Sequence, residues 1–229
     1  MSALYDIHNT SKVLQVAVVT ADLIGSSSHD SETREEVLGV IKSESKKLTD
    51  AVFELYRGDS FQGIIYDVPL ALEKVLQIKT AVNRLRFDDR IKKAKPKKIR
   101  VDFRVAIGIG EQSFRSDSVG ESDGAAFQYS GRQLDTMKSK GRIITLTTKH
   151  QNINDEFNVS LQFLEELMEG WSIASAEVIY YLLQGYKEVA IAKELGISQA
   201  AVNFRKKAAG WDLIVLLLDR YKQVIQKSL

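Results

Sequence analysis

The chain contains no cysteine and only two prolines in 229 residues. Without cysteine it forms neither disulfides nor thiolate metal sites, which is compatible with a reducing compartment. No apolar run reaches the roughly 20 residues that a membrane-spanning helix needs, and residues 1–12 lack the apolar centre of a signal peptide. We therefore expect a cytoplasmic protein that does not enter a membrane.

An excess of charge of one sign is also missing. The formal net charge is +2, which points to no particular partner, while 44% hydrophobic and 27% charged residues describe a globular protein. The length fits one large domain or two ordinary ones. Basic residues concentrate in the segment 90–100. We expect a solvated loop there rather than a nucleic-acid site, because charge runs are unspecific and Pro96 opposes a helix.

The stretch from Val13 to Asp22 is almost continuously apolar and rich in valine. This pattern predicts a strand buried on both faces, and a short buried helix is the competing interpretation. The strand ends in a carboxylate and is followed by Gly25, Ser26 and two further serines. Asp22 therefore either meets a ligand or caps the following turn.

A hairpin is predicted next, from Val52–Tyr56 and Ser60–Tyr66, with Gly58 supplying the positive φ of a tight turn. If the hairpin pairs beside the first strand, Asp22 and Asp59 converge. Two carboxylates at one point call for a cation, and oxygen ligands suit Mg²⁺ or Mn²⁺.

The remaining periodicities predict helices over residues 31–49, 70–85, 123–140 and 151–168, and strands over 101–109 and 143–146. Strand, helix, hairpin, helix and strand in this order form the ferredoxin-like arrangement, which makes the fold class α+β. Gly108 and Gly110 keep the exit of one strand clear for a phosphate or for a neighbouring backbone.

Four short motifs carry a resemblance to a known family: VVTADLIGSS from Val18, RGDSFQG from Arg57, RVAIGIGE from Arg104 and GAAFQYSGRQL from Gly124. In order and spacing they resemble class III nucleotidyl cyclase domains and, more closely, the SatD family of bacterial proteins. The resemblance covers residues 13 to 147 and implies a palm-type domain with metal ions on Asp22 and Asp59. The residues that it places near a bound nucleotide are Gly25, Ser26, Gly58 and Glu121.

The resemblance assigns transition-state stabilisation to Gln128 and Arg132, but the family has asparagine where Gln128 stands. Glutamine is one methylene longer, which misplaces its amide for catalysis. Leu55 stands where the family has a residue that selects the purine base. We therefore expect a degenerate sensing or dimerising domain. For Arg132 the alternative is a surface pair with a neighbour such as Asp135.

The segment 187–210 carries a second pattern. In a helix-turn-helix a small residue such as Ala192 lets two helices cross closely, Gly196 takes the left-handed turn, and Val202 packs back on the first helix. Ser198 is placed to cap the second helix, predicted over 199–208. The pattern resembles the helix-turn-helix of bacterial transcription factors in general.

Residues on or before this second helix are polar, small or basic, and we predict that they contact DNA: Ser198, Gln199, Ala200, Asn203, Arg205, Lys206 and Lys207. Glutamine and asparagine hydrogen-bond adenine edges, and basic side chains meet phosphate. Residues 187–229 hold eight basic and four acidic side chains, a net charge of +4. The alternative is a small helical dimerisation module.

The sequence thus predicts a cyclase-like α+β domain over 1–150, a connector helix over 151–170 and an all-α helix-turn-helix domain over 171–229. The leading interpretation is a DNA-binding transcriptional regulator, a homodimer on duplex DNA, with a nucleotide as effector. The alternative is a metal-dependent nucleotidyl cyclase, or a related nucleotide-processing enzyme, with an accessory helix-turn-helix.

Overall fold

A computed structural model describes residues 14–56, 58–87, 101–114, 116 and 118–228. The basic segment predicted as a loop, 90–100, lies outside these residues. The first part of the chain folds in the order β1 (Leu14–Leu23), α1 (Ser31–Lys46), β2 (Ala51–Tyr56), β3 (Ser60–Ile65), α2 (Ala71–Asn83), β4 (Phe103–Gln112), α3 (Ala125–Lys140) and β5 (Ile144–Thr147). Helices follow: α4 (Gln151–Glu169), α5 (Ile173–Leu183), α6 (Glu188–Leu195), α7 (Gln199–Ala208) and α8 (Trp211–Ser228). None of the described helices is both long and apolar enough to cross a membrane.

The five strands form one sheet in the order β2-β3-β1-β4-β5. All neighbouring pairs are antiparallel except β4 and β5, which run parallel. The first four strands have the order of the ferredoxin-like arrangement, which confirms the predicted α+β class. At the centre of the sheet, Val16, Val18 and Val19 of β1 are at most 1% exposed, as the valine-rich pattern predicted.

One face of the sheet carries a core that continues into the C-terminal helices. Phe157 of α4 and Tyr221 of α8 pack edge to face with ring centroids 5.4 Å apart. The buried Tyr221 hydroxyl donates to the Val68 carbonyl oxygen at 3.1 Å. The cluster runs from Ala17 of β1 to Ile225 of α8. The division into units at about residues 150 and 170 stays a prediction.

Helix α3 covers part of the opposite face, where Gly108 of β4 lies directly beneath it. A Cβ at Gly108 would lie 2.2 Å from the Ala126 carbonyl oxygen and 2.6 Å from the Ser130 nitrogen. A Cβ at Gly110 would lie 3.1 Å from the Ala126 nitrogen. Of the two uses predicted for these glycines, the structure shows close approach of a neighbouring backbone.

Candidate functional site

Asp22 lies near the end of β1, opposite Ser60 of β3 and Arg104 of β4. Arg104 donates Nε to Oδ1 at 3.0 Å and Nη2 to Oδ2 at 2.6 Å. Bidentate, charge-assisted pairs of this kind are among the stronger protein hydrogen bonds. The carboxylate predicted as a metal ligand or a turn cap is therefore engaged by an arginine of the adjacent strand.

Asp59 lies in the tight turn between β2 and β3, where Gly58 has the predicted positive φ, 77°. Its carboxylate accepts from the hydroxyls of Ser26 at 2.5 Å and Ser60 at 3.3 Å. Gly25, in the left-handed conformation with φ 67°, begins the short 3-10 turn that contains Ser26. The structure thus brings Ser26, which the resemblance places near a nucleotide, against Asp59, which it places on a metal ion.

The two aspartates lie at the same end of the sheet, because the backbone N–H of Leu23 donates to the Asp59 carbonyl oxygen at 3.0 Å. Their carboxylates nevertheless have different partners. No group of three or more His, Cys, Asp or Glu side chains fit to hold a metal ion occurs among the described residues. A cation shared by Asp22 and Asp59 stays a prediction. Its binding requires the Arg104 guanidinium to release the Asp22 carboxylate.

The other residues implied by the resemblance lie on elements that do not carry either aspartate. Gln128 and Arg132 are both exposed on α3, and Arg132 Nη2 donates to Gln128 Oε1 at 3.4 Å. Glu121 ends a 3-10 turn (Val119–Glu121) and accepts from the Ser116 hydroxyl at 2.9 Å. No hydrogen bond between described residues joins Gln128, Arg132 or Glu121 to either aspartate.

Sequence reasoning missed Glu54 of β2. Burial pushes the pKa of Glu54 upward, but hydrogen bonds outweigh it and hold the pKa below its ordinary value. The donors are the backbone N–H groups of Val119 and Gly120 together with the hydroxyls of Ser118, at 2.9 Å, and Tyr56, at 3.2 Å. Glu54 therefore ties the turn that contains Glu121 to the edge of the sheet.

The second candidate site is formed by α6 and α7. Gly196 has φ 63° after α6, and the Ser198 hydroxyl accepts from the Ala201 N–H at 3.1 Å at the start of α7. Both features were predicted. Ile191 and Val202 are completely buried in one small cluster with Val178 of α5, so α7 is held firmly against α6.

The side chains of α7 divide between its flanks and its exposed side. Lys206 pairs with Glu188 of α6 at 3.0 Å, and this contact chiefly holds the pKa of Glu188 below its ordinary range. The amides of Asn203 and Gln199 also favour the charged form of Glu188 and lower its pKa, to a smaller extent. Arg205 lies 3.8 Å from Glu177 of α5. Arg205, predicted to meet phosphate, and Lys206, predicted to contact DNA, thus have acidic partners within the chain.

The exposed side of α7 is formed by Ala200, Phe204 and Lys207. Phe204 is 74% exposed and did not belong to the predicted set. The helical period predicts that Phe204 is exposed, because it lies four residues after Ala200 and nearly opposite Val202. Residue type alone predicts burial at this position, because phenylalanine is usually a core residue.

No family model and no curated protein matches the chain. Among solved structures, cyclase domains resemble it. The GGDEF domain of DgcB from Caulobacter crescentus, solved with c-di-GMP, has 15% identity and a TM-score of 0.42, covering 58% of this chain and 77% of that chain. The active GGEEF domain of a diguanylate cyclase from Vibrio cholerae has 12% identity and a TM-score of 0.39, covering 59% and 83%. A bacterial light-regulated adenylyl cyclase has 11% identity and a TM-score of 0.41, covering 59% and 44%. At TM-scores below 0.5 and identities of 11–15%, these likenesses carry no conclusion about this chain.

Proposed function

We propose that the chain is a regulator that binds duplex DNA through α6 and α7, and that its cyclase-like part binds a nucleotide effector or assembles the dimer. The observation that carries the proposal is the way α7 is presented. Gly196 and Ser198 fix the turn, Ile191 and Val202 anchor the two helices, and the far side of α7 stays exposed. Helix-turn-helix proteins enter the major groove with an exposed second helix, and the exposure of α7 supports the proposal on that ground.

Charge supports the same proposal. The net charge of +4 over residues 187–229 attracts the DNA backbone. Arg205 and Lys206 have acidic partners within the chain. The side chains that contact the DNA phosphates are therefore the exposed lysines Lys187, Lys193 and Lys207. Such contacts set the register of the protein on the duplex without reading its sequence.

The test uses the full chain, because the core shared by β1 and α8 makes truncation disruptive. Lys207→Ala is expected to weaken binding to every duplex and to reduce the slope of log affinity against log salt by about one. The matched control is Lys227→Ala, which removes the same charge from the exposed end of α8. Equal losses in both variants would show that α7 is not the contact helix.

A metal-dependent nucleotidyl cyclase, or a related nucleotide-processing enzyme, is the second candidate. It is favoured by one observation: Asp22 and Asp59 lie at one end of a cyclase-like sheet, beside the loop of Gly25 and Ser26. Carboxylate oxygens are suitable ligands for Mg²⁺. The donor set fits poorly as it stands, because both oxygens of Asp22 are engaged by Arg104.

Turnover separates the two candidates. The protein is incubated with each nucleoside triphosphate and Mn²⁺, and cyclic products are sought by chromatography. We expect none. A product formed by the wild type and lost in Asp59→Asn would make catalysis the function of this part of the chain.

A further inference from the structure

The exposed side of α7 is apolar at its centre. Phe204 is the most exposed of the large hydrophobic side chains among the described residues, at 74%. Ala200 and Lys207 each lie about one turn from Phe204 on the same side, so the three residues have the i, i+4 and i+7 spacing of a single helix face. Val202, on the other side, is completely buried and fixes this rotation of the helix.

The flanks of α7 are tied to the neighbouring helices. Lys206 is paired with Glu188 at 3.0 Å on one flank, and Arg205 lies 3.8 Å from Glu177 on the other. A single exposed apolar residue is ordinary, but this one lies midway along the surface that the proposed function directs into the major groove.

We infer that Phe204, with Ala200, reads thymine 5-methyl groups in the major groove, an inference that rests on the proposed binding of duplex DNA. In that groove thymine is the base that presents a methyl group, and phenylalanine and alanine contact it through apolar surfaces. A phenyl ring has no donor or acceptor with which to recognise the edges of guanine or cytosine. Lys207, exposed on the same face, supplies the charge that brings the backbone of the duplex to this surface.

The experiment begins with sites selected by the full-length protein from random duplexes. Each thymine of the best site is then replaced by deoxyuridine, which removes the 5-methyl group alone. We expect one or two replacements to weaken wild-type binding about three- to fivefold, the size expected for one buried methyl group. Phe204→Ala is expected to bind the original site more weakly and to be insensitive to the same replacements.

The matched control is Phe114→Ala, because Phe114 is also exposed, at 58%, and lies outside α7. It should keep the deoxyuridine sensitivity of the wild type. Melting temperatures show whether each variant is folded.

Three outcomes overturn the inference in distinguishable ways. If the wild type binds duplex DNA but ignores every deoxyuridine, the thymine contact is wrong and DNA binding stands. If Phe204→Ala keeps full sensitivity and instead loses a self-association seen by light scattering, the ring contacts protein. If no duplex is bound at any sequence, the proposed function fails as well.

Discussion

At the scale of single residues, Arg104 decides what Asp22 can do. Its guanidinium occupies both carboxylate oxygens, at 3.0 and 2.6 Å. A divalent cation at Asp22 must therefore displace a partner of the opposite charge. Arg104 stands in the motif that suggested a cyclase, yet only the register of β1 against β4 places it opposite Asp22.

A cation site at Asp22 and Asp59 makes a first prediction. Arg104→Met releases the Asp22 carboxylate, so Mg²⁺ or Mn²⁺ should raise the melting temperature of this variant more than that of the wild type. At a metal concentration tenfold above Kd the gain is about 1.4 kcal/mol, or roughly 3–6 °C for a chain of this size. The measurement compares melting in EDTA with melting in each metal.

Asp22→Asn in the Arg104→Met background is the matched control, and it should abolish the shift. If Arg104→Met shows no shift at millimolar metal, Asp22 is only a partner of Arg104 and the resemblance to cyclases is one of fold.

Glu73 of α2 makes a second prediction, which concerns pH. It lines a groove of about 470 Å³ together with Gln77, Trp211 and Asp219. Burial raises the pKa of Glu73, although Lys222 and Lys74 oppose the shift. Because the folded pKa lies above the unfolded one, ionisation costs stability as pH rises from the unfolded pKa through the folded pKa.

Glu73→Gln should therefore raise the melting temperature at pH 7 by about 1–3 °C, as less than 1 kcal/mol would give in a chain of this size. The two proteins should melt alike at about pH 3, well below the ordinary glutamate pKa of about 4.3, where the carboxyl is neutral in both states. Glu36→Gln, which removes an exposed carboxylate from α1, is the control. A gain that persists at low pH would assign the effect to packing rather than to charge.

At the scale of elements, local signals located most of the structure. The bounds of α7 were predicted residue for residue, because Ser198 caps its start within three residues. The β2–β3 hairpin followed from Gly58 in the same way. The Ser198 cap and the Gly58 turn depend only on residues that are close in sequence, so a sequence pattern is enough to predict them.

What the sequence did not reveal depends on distant partners. Glu188 and Glu177 belong to two preceding helices, and they are the partners of Lys206 and Arg205 of α7. The pairing of Asp22 with Arg104 spans 82 positions and depends on register, which the apolar pattern of a strand buried on both faces specifies weakly. The residues named for the two candidate sites therefore stay predictions, and the sequence pattern did not contain the partners of their side chains.

The contact between β4 and α3 makes a third prediction. Gly108→Ala places a methyl group 2.2 Å from a backbone oxygen, so α3 must shift, at a cost of about 1–3 kcal/mol. Gly131→Ala is the matched control, because Gly131 lies within α3 with nothing within 4 Å of the added carbon. It should stabilise the protein by up to about 1 kcal/mol through helix propensity.

Denaturant unfolding measures both changes. Equal effects of the two substitutions would mean that α3 does not lie on β4 as closely as the structure describes.

At the scale of the whole molecule, the core continues from the sheet into the last helix. Trp171 is 4% exposed and donates its indole N–H to the Ala209 carbonyl oxygen at 3.0 Å. Both tryptophans of the chain, Trp171 and Trp211, lie in the C-terminal helical part. Their fluorescence therefore reports on that part alone, while far-ultraviolet circular dichroism reports on the entire chain.

This placement makes a fourth prediction, that the two signals follow the same denaturation curve. A shared core couples the sheet to the helices, and coincidence of different probes is the mark of two-state unfolding. Tyr221→Ala, which empties a buried position against Phe157, should shift both curves together. Two separated curves would instead support the division of the chain near residues 150 and 170.

The last prediction concerns the dimer. Helices α4 and α8 run side by side in opposite directions, because Glu156 pairs with Arg220 at 2.7 Å while Leu167 lies beside Gly210. Between these contacts four apolar side chains, 59–73% exposed, form what we name the α4–α8 patch: Val159, Phe163, Leu213 and Leu216. Helix-turn-helix proteins commonly read two half-sites with two-fold symmetry, and a two-fold axis through the patch would cover it with its own copy.

We therefore expect a dimer by light scattering at micromolar concentration. The double variant Phe163→Ser with Leu216→Ser should be a folded monomer, because it removes two side chains from the centre of the interface, where most binding energy resides. Phe204→Ser is the control, since it takes an equally exposed ring from α7 and should leave the dimer intact. A wild-type monomer, with and without DNA, would remove the two-fold arrangement altogether. Dissociation by Phe204→Ser alone would move the interface to α7, and since one surface cannot both face its copy and enter the groove, it would also count against DNA contact by that helix.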